Sequence, residues 1–567
     1  MRLRLRRFAA SAVAAVLLML AMVAPAGAVE TPSTGGSEGV PGNYQFDDGK
    51  VTYLGQVGDA MSYRDGDLLV VFRPKPGGGL AATTNEQLTF TTDAGAAAIR
   101  VTDPSGVTRA ATKVDLYRRE EVRFRSGEVS LAGTLLVPPG AGPHPAVVLT
   151  HGSGPTDRQG LLLMADLFAR NGIAALAYDK RGSGDSSGSY RTIAADFRSL
   201  AEDALAGVAH LRGRGDIDPT RVGVWGLSEG GFVVALAAAS PEVAFVVGVS
   251  APGVSAIRDF LWQNELALRH GGVSDPTISA NTRALTVLYR AARSLGLVES
   301  GQVSWDFDPA VAWAQVRQPV LLIYGDNDRL VPPARSASVI TGALAQAGDA
   351  NHTVVHFAGT DHGIFVSEDG FRARKDYEQG SLRFGTGYLD TMVDWVRATV
   401  AGQPSLVSGW QPDRVERVPD VDGRPWHENP GLQLGLGVLF SVVFGCAFLG
   451  SLARGLLRRL RRRAPDAWDP DVRRARRWAR LASGLGLLVL LAVTALTVGS
   501  AVAPMTGIRA AIRVLATVTT LLVVTLVAVT AVAWRKPWPA GARLGQGAVV
   551  ATALVYLPFL AYWRILG

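Results

Sequence analysis

Residues 221–240, RVGVWGLSEGGFVVALAAAS, decide the fold that we predict for the central part of this chain. The apolar run before Gly226 is rich in β-branched residues and has the length of a strand, and the small apolar residues after Gly230 have the length of a helix. Residues 226–230 between them follow the pattern G-x-S-x-G, in which a sharp turn lifts a serine hydroxyl clear of a sheet edge. The stretch therefore predicts Ser228 as the nucleophile of a hydrolase.

The G-x-S-x-G pattern alone is a weak indication in a chain with 64 glycines among 567 residues, and it occurs three times. Ser37 lies in GGSEG, within a Gly/Ser/Thr-rich stretch that has neither a strand before the serine nor a helix after it. Ser186 lies in GDSSG, and the polar residues after it lack the small-residue helix that packs behind such a turn. Both are rejected, because only Ser228 has both flanking elements.

From about Glu120 to Gly402, continuous apolar runs alternate with segments of helical spacing, which is typical of a mostly parallel sheet covered by helices on both faces. An insertion from about 252 to 318 separates two of these strands, and its length is typical of a helical cap over a site. Its aromatic residues form either part of such a cap or the insertion's own core. A second, polar interruption at 366–388 predicts a surface loop. The predicted strands are AVVLT, IAALAY, VGVWG, AFVVGVS, PVLLIYG and TVVHF.

An ordinary serine hydroxyl needs an imidazole to take its proton and a carboxylate to orient that imidazole. Asp328 follows the predicted strand PVLLIYG, and His362 follows TVVHF. The carboxyl ends of parallel strands meet at one edge of a sheet, so these side chains are expected near Ser228. Asp326 is the alternative acid. His356 is expected to be a packed residue of its strand, and His352 lies before it.

Residues from about 120 to 402 resemble the α/β-hydrolase superfamily, in particular prokaryotic carboxylesterases and serine-aminopeptidase-like hydrolases. The resemblance is carried by HGSGPTDR (151–158), YDKRGSGDS (178–186), GLSEGG (226–231) and GDNDRLVP (325–332) in this order. It implies that Asp328 is the acid of a triad with Ser228 and His362. It also implies an oxyanion hole formed by the backbone N–H of Glu229 and of Ser153, with Gly152 or Gly154 close by. No metal or organic cofactor is expected, since His151 has no HExxH motif or carboxylate partner.

The chain begins with four arginines in seven residues, then a short apolar stretch and the AxA pattern at 26–28, which together predict a secretory signal peptide. An uncleaved N-terminal anchor is the alternative. Either would place the following segment outside the membrane. The predicted domains are a signal peptide (1–28), a linker (29–43), a small β domain (44–119), the α/β domain (120–402), a linker (403–431) and a membrane region (432–567).

Four apolar stretches near the C-terminus, 432–452, 481–503, 510–534 and 544–563, each approach or exceed the roughly 20 residues that a membrane-spanning helix needs. The arginine-rich segment 453–480 between the first two predicts a cytoplasmic loop. It accounts for the net charge of +8, so lipid contact is favoured over nucleic-acid binding. The single cysteine, Cys446, lies in the first stretch, so the exported part can form no disulfide.

These features together predict a multi-pass, membrane-anchored, extracytoplasmic serine hydrolase that cleaves small-molecule carboxylic esters through an acyl-enzyme. The lipid bilayer is the expected partner, and no feature indicates an oligomeric state. An aminopeptidase or amidase with the same triad is the alternative, for which Glu265 and Glu299 are available to bind a substrate amino group. The second alternative is a receptor or scaffold without catalysis.

Overall fold

The computed structural model of the chain describes residues 41–562 except for short gaps, so the predicted signal peptide lies outside the described residues. The described residues form two compact units, one of residues up to 260 together with 300–418, the other of 261–299 together with 419–562. The gaps are residues 58–59, 75–79, 83–85, 94–95, 191–195, 295–303, 349–350, 372–380, 404–414, 423–425, 427–428, 462–467, 500–505 and 540.

Eight antiparallel strands form the small β domain near the N-terminus. Within this domain each strand pairs with two others, because the first pairs with the eighth as well as the second and the fourth pairs with the fifth as well as the third. Alternate side chains, such as those of Tyr44, Leu54, Phe72 and Ile99, form the core of this domain. The strands are β1 (Gly42–Phe46), β2 (Val51–Val57), β3 (Ala60–Asp65), β4 (Leu68–Pro74), β5 (Leu80–Ala81), β6 (Gln87–Asp93), β7 (Ala96–Thr102) and β8 (Thr108–Val114).

A second sheet of eight strands follows, in the spatial order β16-β15-β14-β13-β11-β12-β10-β9. Strand β10 is antiparallel to both of its neighbours, β9 and β12, and the six strands from β12 to β16 in this order run parallel to one another. This agrees with the mostly parallel sheet predicted for an α/β-hydrolase fold. The strands are β9 (Arg118–Ser126), β10 (Val129–Val137), β11 (His144–Thr150), β12 (Ala174–Tyr178), β13 (Ile217–Leu227), β14 (Val246–Val249), β15 (Val320–Gly325) and β16 (His352–Phe357).

Helices cover both faces of this sheet. One core includes apolar residues of the helices Phe197–Arg212, Glu229–Ala237 and Pro333–Gln346. The other includes residues of Leu162–Arg170 and Tyr388–Val400, so the parallel strands are buried on both sides. The helices are α1 (Leu162–Arg170), α2 (Phe197–Arg212), α3 (Glu229–Ala237), α4 (Ala256–His270), α5 (Asp275–Ser294), α6 (Pro309–Trp313), α7 (Pro333–Gln346) and α8 (Tyr388–Val400).

The insertion between β14 and β15 contains helices α4, α5 and α6, in agreement with the helical insertion predicted at 252–318. Its C-terminal part belongs to the core of the α/β domain. Trp313 is fully buried in that core, and the Phe307 ring meets Phe232 of α3 edge-on, with 5.8 Å between ring centroids. These two aromatic residues therefore stabilise the α/β domain and do not form a separate core of the insertion.

The polar segment at 366–388, predicted to be a surface loop, includes one more strand, β17 (Ser381–Arg383). This strand pairs antiparallel with β4 of the N-terminal domain, with Ser381 opposite Val70. Nearby, the ring of Phe365 stacks on Phe384 with 4.4 Å between centroids. The interruption thus carries a strand that joins the two domains within one compact unit.

Four helices form the C-terminal region: α9 (Pro430–Leu460), α10 (Pro470–Gly499), α11 (Thr506–Ala533) and α12 (Ala542–Tyr562). Among the described residues, three segments are long and apolar enough to cross a membrane, 431–460, 514–533 and 542–561. The second predicted span, 481–503, runs into residues 500–503, which are outside the described ranges. Helices α9 and α10 also extend into the predicted loop 453–480, since arginine is a good helix former.

Candidate active site

The link between β13 and α3 is a strained turn. Ser228 lies directly between them with φ 58° and ψ −118°, a conformation that costs a non-glycine residue roughly 1 to 3 kcal/mol. The turn requires glycine at Gly226 and Gly230, because a Cβ at either position would lie 2.7 Å from Thr150 Oγ1. The glycines allow close packing behind the turn, and the surrounding structure holds the serine in its strained position.

Asp328 and His362 form a buried hydrogen-bonded pair. His362 Nδ1 lies 2.8 Å from Asp328 Oδ2, and the carboxylate is fully buried. The other oxygen, Oδ1, accepts hydrogen bonds from the backbone N–H groups of Leu330 and Val331 at 2.8 and 2.9 Å. The carboxylate is therefore fixed by its own loop and orients the imidazole.

Two opposing effects act on the pKa of His362. Burial lowers it, but the negative charge of Asp328, the hydrogen bond to that carboxylate and the charge of Asp361 raise it, and the net shift is upward. Asp361 also holds the loop itself, since its Oδ1 accepts from the N–H groups of Gly363 and Phe365 at 3.0 and 3.1 Å. The loop is therefore suited to hold an imidazole that takes up a proton.

Hydrogen bonds across the sheet bring Ser228 and His362 to the same edge. The N–H of Ser228 donates to the carbonyl of Val249 at 3.0 Å, and Val249 is followed by Ser250. The hydroxyl of Ser250 donates to the backbone carbonyl of His362 at 2.9 Å. The turn at Ser228 and the loop of His362 are thus bridged by two consecutive residues, Val249 and Ser250, at the end of β14.

The alternative acid and histidine pair with each other. Asp326 Oδ1 lies 2.8 Å from His356 Nδ1, and both side chains are 37% exposed. The expectation that His356 is a packed residue is therefore wrong, because it lies on the outermost strand of the sheet with its ring partly in solvent. A carboxylate engaged at this exposed site is a weaker alternative to Asp328.

The loop after β11 lies directly against the turn at Ser228. A Cβ on Gly152 would be 3.7 Å from Ser228 Cβ, which places this loop in contact with the serine. The N–H of Gly154 donates to the Tyr190 hydroxyl at 3.0 Å. Of the two glycines expected close to Ser153 in the oxyanion hole, Gly154 therefore has its N–H already engaged. Glu229 is the first residue of α3, where a backbone N–H has no intrahelical acceptor.

Sequence reasoning left the Glu229 side chain unassigned, and the structure places it in a buried polar network. Its carboxylate accepts from the Lys180 ammonium at 2.9 Å and from the Tyr190 hydroxyl at 2.9 Å, and it lies 3.4 Å from the Ser153 hydroxyl. Lys180 also donates to the carbonyls of Gly152 and Gly154. Lys180 and Tyr190 were both missed from the sequence, although Lys180 lies in the motif YDKRGSGDS.

One further group near the site, His151, has the chemistry of a metal ligand. The His151 ring is buried, and burial followed by the charge of Lys180 lowers its pKa to about 3, so it is neutral. It packs edge-on against Tyr178 at 5.3 Å between centroids. No cluster of three metal-ligating side chains occurs in the described part of the chain. His151 is therefore a packing residue of the turn.

The insertion contributes one buried acid that the sequence reasoning did not select. Asp259 of α4 is buried, and burial followed by the charge of Asp328 raises its pKa well above the ordinary value. Of the two acids that were selected, Glu265 accepts a hydrogen bond from Thr282 at 2.7 Å, and Glu299 lies outside the described residues. Asp259 is thus an acid of the insertion whose pKa is raised in part by the negative charge of Asp328.

Comparison with known proteins supports the family resemblance. Residues 162–380 match the prolyl oligopeptidase family. Quorum-quenching protein AidA of Acinetobacter baumannii is 38% identical over 22% of this chain and 42% of its own length, and esterase EstD of Thermotoga maritima is 35% identical over 20% and 27%. The chain thus spans less than half of these relatives. The structure of 2,6-dihydroxy-pseudo-oxynicotine hydrolase aligns at 18% identity and TM-score 0.33, over 52% of this chain and 72% of that one. The predicted resemblance to α/β-hydrolases and esterases is confirmed by the family and relative matches.

Proposed function

We propose that this α/β-hydrolase, similar to esterases, is a serine hydrolase that cleaves small-molecule carboxylic esters through an acyl-enzyme. Ser228 is the nucleophile, His362 the general base and acid, and Asp328 the residue that orients the imidazole. One observation carries the proposal. The Asp328–His362 pair, at 2.8 Å, lies at the same sheet edge as a serine held at positive φ. Such strain persists where function requires it, and here it presents the hydroxyl.

Acylation follows from this arrangement. The Ser228 Oγ forms a bond with the acyl carbon as its proton passes to His362 Nε2, and the imidazolium that forms is stabilised by Asp328. The tetrahedral intermediate then collapses, the bond to the alcohol oxygen breaks, and the His362 proton goes to the departing alkoxide. The upward shift of the His362 pKa favours the first proton transfer.

The developing oxyanion needs donors on the opposite side from the base. We assign the backbone N–H groups of Ser153 and Glu229, which lie on the two segments that flank Ser228. Loss of one such donor typically lowers kcat by about 100- to 1000-fold. Water then attacks the acyl-enzyme with His362 as base and releases the acid and the free serine. These steps need no metal or organic cofactor.

Labelling with a fluorophosphonate tests the nucleophile directly. The wild-type protein should be labelled and should hydrolyse p-nitrophenyl esters, whereas Ser228→Ala should do neither. Ser37→Ala is the matched control, because Ser37 occupies another G-x-S-x-G pattern and should retain full labelling. Wild-type protein that stays unlabelled, or Ser228→Ala protein that is labelled like wild type, would contradict the proposal.

A peptidase is the second candidate, and the match of residues 162–380 to the prolyl oligopeptidase family favours it. Asp259 supplies a buried carboxyl, and a substrate amino group close to it would pair with its ionised form. The same triad cleaves amides. Comparing p-nitrophenyl esters with amino-acyl p-nitroanilides separates the two candidates, since an esterase hydrolyses the first series much faster and a peptidase requires a free amino group.

We also propose that the C-terminal helices anchor the protein in a membrane and that the hydrolase domain is extracytoplasmic. Three apolar helices of sufficient length and the arginine-rich residues at 453–480 support this orientation. Reporter fusions test it. Alkaline phosphatase should be active when fused within residues 415–420 and inactive when fused within 462–467, and the reverse result would overturn the assigned orientation.

A further inference from the structure

Lys180 occupies a buried position behind the candidate oxyanion hole. Its ammonium lies 2.6 Å from the carbonyl of Gly152, 2.9 Å from the carbonyl of Gly154 and 2.9 Å from Glu229 Oε1. The nitrogen also lies 4.2 Å from the centroid of the Tyr190 ring. An ammonium has three N–H donors, so these three acceptors use all of them.

This ion pair is costly to bury. Lys180 and Glu229 are both almost inaccessible to solvent, and removing two charges from water costs several kcal/mol per ion before the mutual attraction is counted. Burial lowers the pKa of Lys180, and the charge and hydrogen bond of Glu229 act in the opposite direction. Because well-packed apolar residues often serve stability equally well, the pair is better explained by what its hydrogen bonds position.

The hydrogen bonds of Lys180 restrict how the loop at 151–154 is oriented. In a trans peptide the C=O and N–H point in opposite directions, so the Gly152 carbonyl that faces Lys180 turns the N–H of Ser153 away from the ammonium. At the next peptide, the Tyr190 hydroxyl holds the N–H of Gly154. The network therefore leaves the Ser153 N–H directed away from Lys180. This N–H belongs to a loop that contacts Ser228.

We propose that Lys180 is a positioning residue that fixes the two oxyanion donors relative to each other. The ammonium binds the Gly152 carbonyl, which precedes the Ser153 donor, and the Glu229 carboxylate, which belongs to the residue that supplies the second donor. One side chain thus ties the loop after β11 to the first residue of α3. This inference rests on the proposed hydrolase function, because the donors act only when an oxyanion forms.

The test compares three full-length proteins in detergent. The double variant Lys180→Met/Glu229→Gln removes both charges together and leaves no uncompensated buried ion. The matched control is Arg181→Met/Asp203→Asn. It removes the neighbouring ion pair, 2.7 Å apart, in which Asp203 is buried and Arg181 partly buried and whose hydrogen bonds go to neither Gly152 nor Gly154. The single variant Glu229→Gln retains the ammonium on both carbonyls. Each protein is checked by thermal denaturation and assayed for kcat and KM with a p-nitrophenyl ester.

We expect Lys180→Met/Glu229→Gln to lose kcat by roughly 100-fold with KM nearly unchanged, the loss that follows misplacement of a reacting group by about 1 Å. The control pair should stay within a few-fold of wild type, and Glu229→Gln, which keeps the ammonium on both carbonyls, should lose less kcat than the double variant. The double variant should also bind a trifluoromethyl ketone, which forms a tetrahedral oxyanion on the serine, more weakly by a similar factor. If the pair had only a structural role, its removal would lower thermal stability but would not lower kcat at a nearly constant KM.

A double variant that loses no more kcat than the control pair, or that loses only KM, would overturn the inference. If it does not fold, Tyr190→Phe takes its place, because it removes only the hydroxyl that holds Gly154 and Glu229. That variant should lose kcat several-fold at constant KM, and an unchanged kcat would count against the network. Failure of the proposed function is recognised separately, as a wild type that a fluorophosphonate does not label.

Discussion

Replacement of Asp328 by asparagine tests whether a carboxylate is needed to orient His362, or whether any polar group at this position is sufficient. Asparagine is nearly isosteric, and its oxygen can still accept the N–H groups of Leu330 and Val331. Its NH₂ group then faces His362 Nδ1, which must become the acceptor, so the ring proton moves to Nε2. That tautomer cannot take the Ser228 proton. We expect kcat to fall on the order of 10³- to 10⁴-fold while the protein remains folded.

The same variant should also shift the pH dependence of kcat/KM in a defined direction. Asp328 raises the pKa of His362, and activity requires the neutral ring, so wild-type kcat/KM should rise with pH through a pKa above the ordinary value of about 6.5. Removing the negative charge lowers this pKa, so the residual activity of Asp328→Asn should have its acidic limb at lower pH.

Asp326→Asn is the matched control for this prediction. It changes the same kind of residue two positions away, within the exposed pair with His356. Exposed ion pairs contribute little, so both activity and pH profile should match wild type. The reasoning is refuted if Asp326→Asn loses activity like Asp328→Asn, or if the acidic limb of Asp328→Asn moves to higher pH.

Three further outcomes follow from the same geometry. Gly226→Ala should destabilise the protein by about 1 to 3 kcal/mol in urea denaturation and reduce activity, because its Cβ would lie 2.7 Å from Thr150 Oγ1. The control Gly342→Ala in α7, where nothing lies within 4 Å of the added Cβ, should be neutral or stabilising in the same assay. Ser228→Gly should be more stable than the equally inactive Ser228→Ala by on the order of 1 kcal/mol, since glycine relieves the strain at φ 58° and alanine retains it; equal melting temperatures would show that the turn is unstrained. Asp328 stabilises the folded protein through the protonated form of His362. This contribution should be present below about pH 6.5 and be lost as pH rises through the raised pKa. Asp328→Asn should therefore destabilise the protein more at pH 5 than at pH 9, and the opposite order would contradict the shift.

The features that the sequence predicted share a local cause. The turn around Ser228 has its strand, its glycines and its helix within twenty consecutive residues, so composition alone indicates its conformation. Asp328 and His362 each follow an apolar strand, and parallel strands end at a common edge. The mostly parallel sheet and its order along the chain were predictable for the same reason.

The features that the sequence did not predict depend on distant partners. Lys180 binds groups 28 and 49 residues away, and a lysine in a glycine-rich motif carries no sign that it will be buried. Strand β17 pairs with β4, more than 300 positions earlier, and its own three residues have no periodicity that indicates a strand. His356 was misjudged because an apolar strand predicts burial, whereas the outermost strand of a sheet has its side chains partly in solvent.

The insertion at 252–318 does not behave as one cap. Its last part contributes Trp313 to the core of the α/β domain, whereas residues 261–294 pack with the C-terminal helices as one compact unit. Within that unit Val287 of α5 is buried in the cluster that includes Phe440 and Phe444 of α9, and the Arg290 guanidinium donates to the Val421 carbonyl at 2.7 Å.

Helix α5 therefore depends on the C-terminal helices for its apolar partners. Removing residues beyond 430 would expose Val287 and its neighbours to water, at a cost of roughly 1.5 to 3 kcal/mol for each large apolar side chain. Loss of activity in a truncated protein would then have two explanations, a misfolded insertion or a catalytic role of the C-terminal helices. Point variants in the full-length protein test the shared core directly. Val287→Asp should lower thermal stability and activity together, whereas the exposed control Val311→Asp should change neither. A Val287→Asp protein with wild-type activity would show that the insertion does not need this core.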